Sequence, residues 1–280
     1  MNKRRENAVL PNFMIVVSPT HTWLSSALEA CSVSLAIASP YIGEYLSGSV
    51  SKLRSNVAVS LLTRTVLTDF ASGASNLEAV IHLAHRCGGV HSLNSLHAKV
   101  YVVDDRKALV TSANATFTGM YKNRECGLET SEAETIQQLC RLIERGFGSA
   151  PVPQQWHVAD LESLRGPVDA LKSVMPQVLR SQTLSADPDL RVRLKPSQFD
   201  RLIREMPGWM KLTMEGIMAI PSNSFTLAEA YQYCAPLARQ QYPSNRHVEP
   251  KIRQQLQRLR DLGVIKFLGQ GRYESLTTVR

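Results

Sequence analysis

No stretch of this chain approaches the roughly 20 uninterrupted apolar residues that a membrane span needs. The opening MNKRRENAVLPNFMIVV has neither the long apolar core nor the small-residue cleavage site of a secretory signal, so a cytoplasmic protein with no membrane partner is expected. Cysteine is sparse: Cys31, Cys87, Cys126, Cys140 and Cys234 are odd in number, scattered, and never arranged as Cys-x-x-Cys. That argues against a disulfide framework or a cysteine zinc site and predicts reduced thiols buried as small hydrophobes. His82, His85, His91 and His157 lack acidic or cysteine partners at metal-ligand spacing, so no metal or other cofactor is expected. Internal repeats and low-complexity tracts are also missing.

What is present is a globular composition, 44% hydrophobic and 20% charged over 280 residues, enough for one large domain or two ordinary ones. The net charge of +8 is unevenly placed. Residues 191–280 hold 15 Lys and Arg against 7 Asp and Glu, whereas residues 1–190 are balanced at 17 each. A positive field confined to one region points to a polyanionic partner, nucleic acid first and an anionic membrane surface second.

The same division appears in the patterning. From residue 33 to 130, β-rich apolar runs (33–39, 57–63, 99–104, 108–112 and 126–130) alternate with helical patterns at 23–30, 76–86 and 131–147. Strands separated by helices predict an α/β layer with a sheet covered on both faces, filling residues 1–150. Residues 151–195 read as a linker with partial helix between Leu161 and Leu179, interrupted by Pro167 and Pro176. Residues 196–280 read as four helices (197–206, 209–220, 227–240 and 248–262) and a short hairpin, a compact module of the winged-helix kind.

On a β-strand, side chains two apart share a face, so LHAKVYVVDD sets His97 and Lys99 side by side. The following strand returns Ser112 and Asn114 toward the same region, and Glu125 opens another β-like run. An imidazole, an ammonium, an amide, a hydroxyl and a carboxylate together suit a phosphoryl group. Lys99 and Asn114 would hold the non-bridging oxygens, His97 would act as nucleophile or proton donor, and Glu125 would orient the imidazole. Asp104 lies in the turn, where it is read as fixing the loop or pairing with Lys107 or Arg106.

His97-x-Lys99, four residues, Asp104, six residues, Thr111-Ser112-Ala113-Asn114 resembles the H-x-K-x4-D-x6-G-S-x-N signature of the phospholipase D superfamily, with Glu125 where that family places its next acidic residue. Thr111 stands where the family has glycine. The resemblance implies a mixed sheet with flanking helices and a metal-independent phosphodiester transfer. One motif histidine forms a phosphohistidine, a second protonates the leaving oxygen, and water releases the product. Two copies of the motif are needed and this chain has one H-x-K, which implies a homodimer sharing one active site.

In the basic segment, Ile252, Leu256, Leu259 and Leu262 form one apolar stripe, and Lys251, Arg253, Gln254, Gln257, Arg258 and Arg260 form the opposite face. Long cationic and amide side chains reach phosphates and base edges, and Lys266, Gln270 and Arg272 on the hairpin would touch the DNA backbone or minor groove. Phe225-Thr226-Leu227, the run from Lys251 to Gly263, and Phe267-Leu268-Gly269-x-Gly271-x-Tyr273 resemble the winged-helix module at the C-termini of certain restriction endonucleases. Together the two resemblances imply a type II restriction enzyme acting on double-stranded DNA, with a cognate DNA methyltransferase as its companion. The alternative is a DNA-binding regulator or assembly subunit whose phospholipase D-like site is inactive.

Overall fold

A strand buried on both faces reads as a continuous apolar run, and parallel strands must be joined by crossovers long enough to hold a helix. The β-rich runs meet both conditions. In the computed structural model, which describes residues 13–148, 151–174 and 196–275, eight strands form one mixed sheet in the order β1-β7-β6-β5-β2-β3-β4-β8. They are β1 (Phe13–Val17), β2 (Ser34–Ala38), β3 (Ala58–Thr63), β4 (Val90–Ser92), β5 (Val100–Val103), β6 (Lys107–Thr111), β7 (Cys126–Thr130) and β8 (Gln154–Trp156). The β2, β3 and β4 strands run parallel, and every other neighbouring pair is antiparallel.

Helices pack on both faces, leaving part of β1, β7 and β6 bare. On one, Val100, Val102 and Ala108 pack with Ile136 and Ile143 of α5 (Ala133–Arg145). On the other, Tyr101, Val103, Leu35 and Ile37 meet α1 (Thr20–Ala30), α2 (Glu44–Val50) and α4 (Leu77–Cys87), while α3 (Leu67–Ser72) follows β3. The predicted strands are all present. The sequence pattern did not identify β4 and β8, whose three residues are too few to show a period, or β1, whose apolar residues are mostly exposed.

The sheet does not stop at residue 150, because β8 pairs with β4 through Val90 and Trp156. Beyond it, α6 (Val158–Glu162) packs on α4, and α7 (Arg165–Val174) packs on α3. Pro167 falls in the first turn of α7, where a missing N–H breaks no helical hydrogen bond. The rest of the predicted linker, with Pro176 and the helical pattern as far as Leu179, lies outside the described residues.

The C-terminal module has α8 (Pro196–Glu205), α9 (Gly208–Met218), α10 (Leu227–Gln241) and α11 (Val248–Asp261). A three-stranded sheet completes it, in the order β10 (Ile265–Gly269), β11 (Arg272–Ser275), β9 (Ser224–Thr226). Thr226 and Glu229 form the reciprocal capping box that starts α10. The protein is thus α/β, a mixed sheet with flanking helices plus a C-terminal winged helix, and one apolar core runs through both parts. Their junction is polar as well. The Leu67 N–H donates to the Leu262 carbonyl at 3.1 Å, and Asn94 Nδ2 donates to the Arg260 carbonyl at 2.9 Å.

The thiols depart from expectation in part. Cys31 and Cys234 are buried, Cys87 and Cys140 are half-buried, and Cys126 is exposed at the start of β7. Among the described residues no helix is long and apolar enough to cross a membrane.

Candidate active site

His97 and Lys99, expected on the strand itself, lie on the lead-in just before β5, which begins at Val100 because β2 ends its pairing at Ala38 opposite that residue. The β6 side continues further, with the Thr111 N–H donating to the Lys99 carbonyl at 3.0 Å. Lys99 is only 7% exposed. Its Nζ donates to the His97 carbonyl at 2.8 Å and lies 3.4 Å from His97 Nδ1. Burial lowers the Lys99 pKa, and the Glu125 carboxylate pulls it back up. His97 is exposed, and its pKa lies below the ordinary histidine value. The Lys99 charge is the largest cause, followed by desolvation and by Arg64. The result is an accessible imidazole beside a cation that disfavours its protonation.

The next strands supply the remaining groups. Ser112 Oγ donates a short hydrogen bond to the Glu125 carboxylate, which also accepts from Asn123 Nδ2 at 3.0 Å. The expected Glu125–His97 hydrogen bond does not occur among the contacts of the described residues, since Ser112 and Asn123 hold the carboxylate instead. The loop carrying Asn114 is fixed from beneath. Tyr101 Oη donates to the Ala113 carbonyl at 3.1 Å, and the Ala115 N–H donates to Ser39 Oγ at 3.0 Å. Asn114 Oδ1 is buried without a hydrogen-bond partner among the described residues. A buried acceptor without a donor costs about 1–3 kcal/mol, which makes it a candidate ligand-binding atom.

Thr111, in the glycine position of the motif, is buried. Its hydroxyl donates to the Cys126 carbonyl at 3.2 Å and accepts from the Ala113 N–H at 3.2 Å. Its register partner on β7 is Gly127, where a Cβ would come within 2.8 Å of Thr111 Cβ. Glycine on the neighbouring strand therefore takes up the extra bulk.

Asp104 is not with the others. It sits at the opposite end of β5 from His97, at φ 54°, in the left-handed region that aspartate tolerates. It pairs with neither Arg106 nor Lys107; Lys107 pairs with Glu129 at 3.1 Å. Its carboxylate accepts from the N–H groups of Ser32, Val33 and Ser34 and from Ser32 Oγ, at 2.7 to 3.1 Å. Desolvation raises the Asp104 pKa, but these hydrogen bonds outweigh it and hold the value at about 2. Its role is to clamp the β2 entry. Asp104→Ala is expected to cost about 1–2 kcal/mol of stability in urea unfolding. Because the folded pKa lies below the unfolded one, the contribution is complete above about pH 4 and fades as pH falls toward 2. A variant with unchanged stability at pH 7 would remove this role.

Sequence reasoning missed Arg64, at the end of β3. Buried and ion-paired with Asp69 at 2.8 Å, it places a second positive charge near His97. Its only local signal is a cation closing an apolar run, LLTRT.

On α11 and the hairpin, Arg253, Gln254, Lys266, Gln270 and Arg272 are exposed, and Lys251 and Gln257 are half-buried. Lys251 Nζ donates to Gln254 Oε1 at 2.8 Å. Two residues of the expected DNA face turn inward. Arg258 makes a bidentate pair with Asp160 at 2.6 and 2.8 Å and lies 5.4 Å from the Trp156 ring centroid, and Arg260 bonds Asp261 at 2.8 Å. Helical periodicity assigns a residue to a face of its own helix. It does not say which part of that face another domain covers.

Two family models match the chain: "Cardiolipin synthase, PLD-like domain" over residues 24–146, and "Dam-replacing HTH domain" over residues 205–275. The first span holds every residue of the candidate active site, and the second holds α11 and the hairpin. Similar solved structures include Nuc from Salmonella typhimurium, a phospholipase D family member, at 14% identity and TM-score 0.44, covering 53% of this chain and 99% of that one. NucT from Helicobacter pylori is 19% identical with TM-score 0.40, covering 48% and 93%. Phosphatidylserine synthase from Haemophilus influenzae is 15% identical with TM-score 0.42, covering 62% and 47%.

Proposed function

We propose that this chain, in which a phospholipase D-like domain is joined to a helix-turn-helix domain of the Dam-replacing type, is a DNA endonuclease that hydrolyses phosphodiester bonds without a metal ion. The observation that carries the reading is the exposed imidazole of His97 3.4 Å from the buried Lys99 amine, in one chain with a second domain that exposes Arg253 on α11 and Lys266 and Arg272 on its hairpin. His97 attacks phosphorus, and the P–O bond to the leaving group breaks. The Lys99 cation and a donor from Asn114 balance charge on the non-bridging oxygens. A second histidine gives its proton to the departing oxygen, then takes one from the water that displaces His97 and restores the enzyme.

One chain has one H-x-K, so the second histidine comes from a second copy in a two-fold dimer. A sheet face supports this arrangement. Ile15, Leu128 and Val110 stand in register across β1, β7 and β6, all exposed, on the strands that lead to Ser112 and Glu125. Such an uncovered apolar row marks a contact surface. The reading extends to a restriction enzyme whose cognate methyltransferase acts on the same site.

The test is digestion of methylated and unmethylated duplex DNA in excess EDTA. Discrete fragments are expected, and no cleavage on either substrate would overturn the enzyme reading. The rival, a DNA-binding regulator with a silent site, draws its support from Thr111, and Gly127 accommodates that side chain.

A further inference from the structure

We propose that the ring stack of His21, Tyr121 and Phe117 takes an unstacked nucleobase of the DNA strand being cut. The proposal deepens the nuclease reading and rests on DNA being the substrate.

The stack is built onto the candidate site from both sides. Thr118–Lys122 forms a π-helical turn directly after the Asn114 loop, and Gly119 presses that turn against Asn114. A Cβ at Gly119 would lie 2.6 Å from the Asn114 carbonyl oxygen, so only glycine allows this approach. Phe117 is three residues from Asn114, and His21 is three residues from Ser18, whose Oγ accepts from the Glu125 N–H. Three residues of chain span at most about 10 Å, so the rings stand next to the catalytic groups.

The rings are arranged to extend a stack. Tyr121 lies 3.9 Å from His21 at an interplanar angle of 14° and 4.8 Å from Phe117 at 22°, while Tyr45 braces it edge-on at 5.1 Å and 88°. Rings this large are normally covered by other apolar groups, yet Phe117 is 53% exposed and Tyr121 is 38% exposed. Lys122 Nζ lies over the Phe117 ring, 5.4 Å from its centroid, a cation–π contact on a flexible side chain that an incoming nucleotide can redirect to its phosphate. His21 Nδ1 is buried with no hydrogen-bond partner among the described residues, as is Asn114 Oδ1.

A flat base fits this surface better than a second copy of the chain does. Parallel aromatic faces with an adjacent cation are the recurrent platform for single-stranded nucleic acid, and every base has a π-face to offer. The aliphatic row of Ile15, Leu128 and Val110 already supplies a protein-like contact surface elsewhere. Seating one base outside the duplex would bring its phosphate toward His97 and favour locally unpaired strands.

The experiment uses the full chain carrying His97→Ala, so that the strand stays intact, and single strands containing 2-aminopurine or abasic sites. The protein is expected to quench 2-aminopurine and to bind the base-bearing strand more tightly than the abasic one. Adding Phe117→Leu should abolish the quench and weaken binding of the base-bearing strand roughly 5- to 150-fold, with abasic binding unchanged, while Phe117→Trp restores both. Equal binding by the Phe117→Leu variant would overturn the proposal. So would a change in assembly size on sedimentation, which would make the rings a contact between copies. Absence of cleavage by the unaltered chain would instead sink the nuclease reading and leave these binding results standing.

Discussion

His97→Ala is expected to reduce cleavage of duplex DNA in EDTA by at least about a thousandfold, with DNA affinity unchanged within about twofold. The loss is large because the imidazole is both the attacking atom and, in the second copy, the proton donor, so one substitution removes both functions. Mixing equal amounts of the unaltered and His97→Ala chains after subunit exchange should leave about one quarter of the activity, since only dimers with two histidines are competent. About half the activity would mean that each chain works as an independent site, and about three quarters that one histidine suffices; either would remove the shared-site mechanism.

The pH dependence follows from the local charges. Lys99 and, more weakly, burial and Arg64 hold the His97 pKa below its ordinary value, so the nucleophile stays neutral further into acid than a free histidine would. In Lys99→Met the imidazole is expected to titrate at higher pH, read by NMR on His97. A titration unmoved by that substitution would show that the lysine charge does not act on the nucleophile.

The second large effect separates two arginines five residues apart on one helix. Arg258 and Asp160 are each about 20% exposed and joined by two hydrogen bonds. Arg258→Ala leaves a mostly buried carboxylate unpaired and is expected to cost about 2–4 kcal/mol, lowering Tm by calorimetry. Lysine should not restore the loss, because it cannot reproduce the bidentate geometry. Arg253 is exposed, and Arg253→Ala should leave Tm unchanged, weaken DNA binding across sequences and reduce the salt slope by about one. If Arg258→Ala kept Tm and lowered the salt slope, Arg258 would be a phosphate contact after all.

Much of this was legible in the sequence because it rests on short-range periodicity. Continuous β-rich apolar runs marked β2, β3, β5, β6 and β7, and the stripe from Ile252 to Leu262 marked α11. The two-residue spacing of His97 and Lys99 put them side by side even though the strand proper begins at Val100. The charge excess of residues 191–280 by itself points to a polyanion.

The tertiary structure alone decided which side chains of a given type belong to the site. Asp104 is five residues from the end of the motif pair, but a strand carries it to the far end of the sheet, where three backbone N–H groups take its carboxylate. Arg258 lies about 140° round the helix from Arg253, and Asp160 of α6 is what holds it inward. Thr111 breaks the motif in one dimension, and Gly127 across the sheet makes room for it in three. Sequence reports what a residue is and which local face it occupies. Contacts between segments far apart in the chain decide whether that face meets DNA, another copy or the protein's own core.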